Sequence, residues 1–245
     1  MWGREWEVRW FESIDSTNSY LLTQAAEGAP EGLVAVADHQ SAGRGRLDRR
    51  WEAPPGASLL ASVLFRPTFD PADLHLCTAA VALAAAEACR QVAGVGPVIK
   101  WPNDLLVGEA KLAGVLSEAD FSHHACAVVV GIGINVAWPG PPTVLGTCLE
   151  DEAGETVDRK ALLGGLLAAL GPRRLLLESP DGRREVAAEL RRRCVTLGRP
   201  IRVELAAEAI SGVASEIDDA GQLIVQTAQG PRTVSAGDVV HLRPA

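Results

Sequence analysis

The chain of 245 residues is 47% hydrophobic and 22% charged, the composition of an ordinary globular protein with room for one catalytic domain and a small appended one. Its formal net charge of -8 sets up a field that repels phosphate backbones, which excludes a general nucleic-acid binder unless a local basic patch offsets it. Five cysteines, Cys77, Cys89, Cys126, Cys148 and Cys194, are odd in number, widely spaced and without a C-x-x-C pair, which argues against a disulfide framework or zinc site and for a reducing cytoplasm.

The N-terminus lacks the basic region and apolar core of a secretion signal, and the apolar stretch Thr78–Cys89 carries Glu87 and is too short to span a bilayer. Neither membrane nor nucleic acid is therefore an expected partner. Trp6–Phe11 reads as a short strand, and the N-cap residues Asp15-Ser16-Thr17-Asn18 start a helix that Gly28 and Pro30 end. Leu33–Ala37 and Ser58–Phe65 are continuous apolar runs suited to buried strands, the second entered from the turn Pro54-Pro55-Gly56. Pro71–Val92 suits a long helix buried between layers. Val98–Trp101, Lys111–Glu118 and Ala125–Val136 read as strands, separated by a turn at Pro102-Asn103-Asp104 and a polar turn at Asp120–His124, in which His123-His124 is solvated and not a metal site. Asp158–Leu177 and Arg183–Cys194 are helical, with Gly171-Pro172 breaking the first.

Beyond Gly198 the pattern changes to short β segments, Ile201–Leu205, Ile210–Ile217, Leu223–Gln226, Arg232–Val234 and Val239–Leu242. Closely spaced strands with turn signals suggest a small barrel. The expected fold class is α+β, a mixed central sheet with flanking helices over residues 1–196, followed by a small β domain over 197–245.

Three segments carry chemistry. Gln40–Trp51 places Arg44, Arg46, Arg49 and Arg50 with Gly43 and Gly45 in a strand-to-strand loop of an acidic protein. Glycines let backbone approach a ligand, successive N–H groups can form an anion nest, and guanidinium forks match carboxylate or phosphate geometry. Lys100-Trp101-Pro102-Asn103-Asp104 closes an apolar strand with a cation, an amide and a carboxylate, and Lys111-Leu112-Ala113-Gly114 opens the next strand with a lysine. Gly131-Ile132-Gly133-Ile134-Asn135 lacks the third glycine and the following helix of a dinucleotide fold, so its glycines mark close backbone approach inside a strand. Gly-Lys never occurs, so there is no Walker A loop.

In this order, Ser16-Thr17-Asn18, Gln40 with Gly43-Arg44-Gly45-Arg46, Arg49 and Trp51, Lys100–Asp104, Lys111–Gly114, and Gly131, Gly133 and Asn135 resemble the biotin protein ligases, a similarity that runs from about Phe11 to the end. The resemblance implies a catalytic domain of the class II aminoacyl-tRNA synthetase and biotin ligase type with an SH3-like C-terminal domain. It implies biotin and ATP with Mg²⁺ as substrates, biotinyl-5′-AMP as intermediate, and a lysine of a biotin carboxyl carrier domain as acceptor. By position, Ser16, Thr17, Asn18 and Gln40 would bond the biotin ring and tail, with Arg44, Gly45, Arg46, Lys111, Gly114 and Gly133 completing the biotin site. Arg46, Arg49, Trp51, Asn103, Lys111 and Asn135 would meet the nucleotide, and Arg46, Lys111 and Asp104 would carry the catalysis. Direct metal ligands are not implied.

The sequence departs from the family pattern at Asp48, where a further glycine is usual and a φ > 0 position is expected; Asp tolerates it better than most residues. Only about ten residues precede the first motif region, far below a folded domain, so the DNA-binding domain of the repressor members is not expected. A monomer or weak homodimer is the expected state. A lipoate ligase with the same two-step chemistry and a biotin-binding regulatory module without turnover remain the alternatives.

Overall fold

The computed structural model describes residues 3, 5–47, 49–121, 126–205, 208–235 and 237–242. Asp48, His123 and His124, and the start of a strand at Ala125, lie outside them. Seven strands build the main sheet: β1 (Glu7–Ile14), β2 (Leu33–Gln40), β3 (Ser58–Phe65), β4 (Val98–Lys100), β5 (Asp104–Val107), β6 (Ala110–Asp120) and β7 (Ala127–Asn135). Their order is β1-β2-β3-β7-β6-β5-β4. Only β1 and β2 run parallel, joined by a crossover through helix α1 (Thr17–Ala26); every other pair is antiparallel.

Strand side chains alternate between the two faces, and here the alternation separates the core from the site. Leu59, Ala61, Val63 and Phe65 of β3, Ala113 and Val115 of β6, and Val128, Val130, Ile132 and Ile134 of β7 belong to one large cluster with the long helices. The intervening positions face the other way. Leu64, Ala127 and Val129 pack there with Leu21 and Ala25 of α1; farther along, that face carries Leu60, Ser62, Gly114, Leu116, Gly131 and Gly133. Helix α1 covers only the apolar end and leaves the small, polar end open.

On the core face lie α2 (His75–Ala93), α4 (Arg159–Leu177) and α5 (Pro180–Arg193). A 3-10 turn, Pro71–Asp73, leads into α2, and Gly94 at φ 67° supplies its left-handed stop. The span Pro71–Ala93 is long and apolar enough to cross a membrane by composition, yet it is a core helix, with eleven consecutive buried residues from Leu76 to Ala86. Burial raises the thiol pKa of Cys77 and of Cys89, the latter to about 12, so both thiols behave as small hydrophobes.

Two expectations are corrected. Helix α4 runs unbroken through Pro172. An interior proline costs about 3 kcal/mol, but Leu162, Leu163, Leu166, Leu167, Leu170 and Leu177 are all buried along this helix, and each buried leucine contributes about 1.5–3 kcal/mol. Packing therefore outweighs the missing N–H. Asp104 is not in a turn but opens β5, since Lys100 and Asp104 pair as the closing residues of a tight hairpin. A short helix, α3 (Leu149–Ala153), also went unmarked by the periodicity.

The C-terminal segment forms a five-stranded antiparallel sheet, β8 (Pro200–Glu204), β9 (Ala209–Ile217), β10 (Leu223–Thr227), β11 (Gly230–Val234) and β12 (Asp238–His241), in the order β11-β10-β9-β8-β12. Its buried residues, including Ile201, Val203, Ile217, Leu223 and Val225, are continuous with the main core. Trp101 fastens the junction. Its backbone N–H donates to Thr196 Oγ1 at 3.0 Å and its buried indole Nε1 donates to Gly221 O at 3.1 Å. Thr196 Oγ1 also lies 3.1 Å from His241 Nε2, whose pKa burial, Lys100 and Arg199 push down to about 4. Replacing Trp101 by Phe keeps most of the apolar volume but leaves the Gly221 carbonyl unpaired. The expected destabilisation is about 1–3 kcal/mol, measured by urea unfolding; an unchanged midpoint would remove Trp101 from the junction's support.

Candidate active site

The open end of the sheet face is roofed by residues 44–47 and 49–52 and walled by residues 139–141 and Val144, leaving a cleft of about 400 Å³. That volume suits a small-molecule substrate. Ser16, Thr17, Asn18, Gln40, Arg44, Gly45, Arg46, Arg49, Trp51, Asn103, Asp104, Lys111, Gly114, Gly133 and Asn135 all line it. Lys100 of the Lys-Trp-Pro-Asn-Asp segment lines it too, as do Asp238, Val239 and Val240 of β12, which the sequence did not mark.

At one end sits the start of α1. Ser16 is its N-cap, accepting from Ser19 N. Thr17 N and Thr17 Oγ1 donate to Gln40 Oε1 at 2.7 and 3.0 Å. Gln40 thus has its carbonyl side committed. The Asn18 side chain is almost wholly buried and fully engaged: Ser62 Oγ donates to its Oδ1 at 2.6 Å, and its Nδ2 donates to Leu116 O at 3.2 Å and to Glu118 Oε2 at 2.8 Å. Glu118 Oε2 also accepts from Arg44 at 2.8 Å.

The glycines explain how these groups reach the sheet. Ser62, Gly131 and Leu116 form one cross-strand row and Leu60, Gly133 and Gly114 the next. A Cβ on Gly131 would lie 2.2 Å from Asn18 Oδ1, and one on Gly133 would lie 2.3 Å from Cε2 of Trp51. A Cβ on Gly114 would lie 2.9 Å from the same indole. Gly131 is therefore the seat of the Asn18 amide, and Gly114 with Gly133 the seat of the Trp51 ring. The indole Nε1 is buried without a hydrogen-bond partner among the described residues.

The other end is cationic. Arg46 reaches down from the loop to donate to Asn103 Oδ1 at 3.1 Å, and Asn103 Nδ2 in turn donates to Val115 O at 2.7 Å. Burial lowers the Arg46 pKa, with Asp238 and Asp104 working in the opposite direction; a guanidinium nevertheless stays charged. Among the described residues Arg46 makes no ion pair, so it is a partly desolvated cation facing a cleft. Lys111 Nζ pairs with Asp104 at 2.7 Å and stands 5.6 Å from the centre of the Trp51 ring. Its backbone is clamped, with Lys111 N donating to Leu145 O at 2.9 Å and Thr147 N donating to Lys111 O at 3.0 Å. Asn135 Nδ2 donates to Thr147 O at 3.0 Å, which ties the wall to β7. Arg49 pairs with Asp238, joining the roof to the C-terminal sheet.

Leu47 is left-handed, at φ 54°; the φ > 0 position expected at Asp48 lies outside the described residues. Leu47 is 61% exposed. Among the described residues no group of three His, Cys, Asp or Glu side chains is arranged to hold a metal ion.

Comparison with known proteins agrees with this architecture. The family model "Biotin/lipoate A/B protein ligase family" matches residues 10–135, and "Biotin protein ligase C terminal domain" matches residues 196–242. The biotin–[acetyl-CoA-carboxylase] ligase of Mycobacterium tuberculosis is 37% identical over 93% of this chain and 86% of its own length. A protein of the same description from Paracoccus denitrificans is 32% identical, over 92% of this chain and 96% of its own. Among solved structures, biotin protein ligase from Aquifex aeolicus in complex with biotin and ATP superposes with a TM-score of 0.82 at 26% identity, covering 97% of this chain and 99% of that one. Identity above 30% along nearly whole relatives, on the same two-sheet frame, shows that the chain belongs to the biotin/lipoate A/B protein ligase family, among its biotin protein ligases.

Proposed function

We propose that this chain activates biotin with MgATP to biotinyl-5′-AMP and then transfers the biotinyl group to one lysine of a biotin carboxyl carrier domain. The observation that carries the reading is the meeting of partly desolvated Arg46 with Lys111 at one end of a cleft whose other end presents the uncharged side chains of Ser16, Thr17, Asn18 and Gln40. Such a polarity gradient suits a ligand with an uncharged hydrogen-bonding ring and an anionic tail. In this reading residues 1–196 are the catalytic unit, and 197–245 a β domain that contributes Asp238 to the cleft.

Biotin's ring is held by Ser16, Thr17 and Gln40, with the committed Gln40 carbonyl leaving its amide N–H groups for the ligand. Its carboxylate and the α-phosphate repel each other by about 1 kcal/mol at roughly 4 Å in water, and by more in a drier site. Arg46 and Lys111 offset that repulsion and stabilise charge at phosphorus. A carboxylate oxygen bonds to the α-phosphorus, the bond to the β-phosphate bridge breaks, and pyrophosphate leaves. Mg²⁺ supplies neutralisation of the phosphate charge; the cleft carboxylates Asp104 and Asp238 hold Lys111 and Arg49. In the second step a neutral lysine amine attacks the acyl carbon and AMP departs. When Lys111 turns to the adenylate, Asp104 is released from its ion pair and can take the proton of the attacking amine. Five free thiols accord with a reducing cytoplasm.

Labelled biotin should pass to a purified carrier domain only with MgATP and only when the target lysine is present; labelled lipoate should not. Lysine-independent labelling, or lipoate transfer at an equal rate, would overturn the reading. Replacing Lys111 with Ala should slow pyrophosphate release by on the order of 100-fold, the size seen when one charge-stabilising donor is removed. Arg46→Gly should leave the fold intact but let biotinyl-AMP escape, read as adenylate in the filtrate of a single-turnover reaction; full retention on the protein would exclude Arg46 as an adenylate-holding group.

A further inference from the structure

The reading above accounts for groups that line the cleft, but Glu118 lies beneath them. One carboxylate oxygen of this residue, Oε2, accepts at 2.8 Å from Asn18 Nδ2 and at 2.8 Å from the Arg44 guanidinium. Asn18 belongs to the helix start that frames the neutral end of the cleft, and Arg44 to the entry of the roof. These two segments are far apart in sequence and share no backbone pairing with β6. Glu118 is where both are referred to the sheet.

The geometry behind this is a consequence of register. Leu116 faces Gly131 across β6 and β7, and Ser62 faces Gly131 across β3 and β7. The Asn18 amide fills the space left by the missing side chain at Gly131, touching Ser62 on one side and Leu116 O on the other. Two positions along β6 on the same face, Glu118 closes the remaining side. Its side chain is 26% exposed and that of Arg44 40%, so the ion pair alone would be screened. The shared oxygen changes this: moving the carboxylate disturbs the Asn18 amide, whose two N–H bonds are otherwise fixed inside the protein.

We propose that Glu118 is a positioning residue for biotin binding, fixing Asn18 and Arg44 in one frame so that helix start and roof enclose the ligand together. The inference rests on the biotin reading of the cleft. It requires that a change at Glu118 be felt in the arginine loop even with no ligand present. The loop carries four arginines within seven residues, Arg44–Arg50, which makes trypsin a direct reporter of its opening.

Glu118→Ala should weaken biotin binding, measured by calorimetry on the full chain, by about tenfold, as expected when a charge-assisted hydrogen bond to a binding group is lost. It should also speed tryptic cleavage within 44–50 severalfold in the empty protein. Glu118→Gln, which keeps an acceptor oxygen but loses the charge, should fall between and serves if the alanine variant does not fold. With Arg44 replaced by Ala, the further Glu118→Ala change should add less than it does alone, since the shared tether is already cut. Unchanged biotin affinity together with unchanged loop cleavage in a folded Glu118 variant would overturn the proposal. So would equal losses from alanine and glutamine with full additivity to Arg44→Ala. Failure of the unaltered protein to bind biotin would instead overturn the reading of the cleft, while the cleavage comparison would still decide whether Glu118 tethers the loop.

Discussion

Strand β7 lies at the middle of the seven-stranded sheet, and all nine of its residues are buried. A strand in that place has to satisfy two neighbours at once. Toward the helices it presents Val128, Val130, Ile132 and Ile134, which hold the core together. Toward the other face it presents Ala127 and Val129 under α1, then Gly131 and Gly133. The two glycines are required by space rather than backbone angle, since neither has a positive φ. Any Cβ there would collide with the Asn18 amide or the Trp51 ring, and overpacking of this kind costs about 1–3 kcal/mol or displaces the intruding group. The cleft exists because side chains from α1 and the loop can press directly onto the strand.

Electrostatics is the second constraint. The protein as a whole is acidic, with 31 acidic and 23 basic residues, so a cationic cleft has to be assembled locally. Three of its cations are held by carboxylates: Arg44 by Glu118, Lys111 by Asp104, Arg49 by Asp238. Pairing keeps a partly buried cation from the full penalty of desolvation. Arg46 is different. Its hydrogen-bond partner is the neutral amide oxygen of Asn103, and among the described residues it makes no ion pair, so an arriving anion would stabilise its partly desolvated charge. The same arrangement accounts for Asn103 and Asn135, whose amides brace the loop and the wall from inside the protein.

The C-terminal sheet is more than an appendage to this frame. Asp238 reaches the roof through Arg49, Val239 and Val240 line the cleft, and Trp101 carries the junction on the segment that also supplies Asn103 and Asp104. A shift of this sheet would therefore reach the cleft both through its wall and through the hairpin of β4 and β5.

The sequence by itself determined the alternation of buried strands, the long buried helix, the change to short β segments after Gly198, and a set of motif residues that share one cleft. Each of these is a local property: periodicity, caps, turn residues, or the rarity of four arginines in a glycine-containing loop. Tertiary structure decided the rest. Helix α4 survives Pro172 because six leucines pack along it, and that packing is a sum over partners distant in sequence. Asp104 opens a strand because β6 lies beside it, which no turn signal can report. Glu118 and Ser62 read as ordinary strand residues until register sets them around the amide of Asn18, and Asp238 carries no signal until folding brings it to Arg49. Glycines at 131 and 133 were visible in the sequence as close approaches; which side chains approach them is a property of the folded chain, because those side chains come from residues 18 and 51.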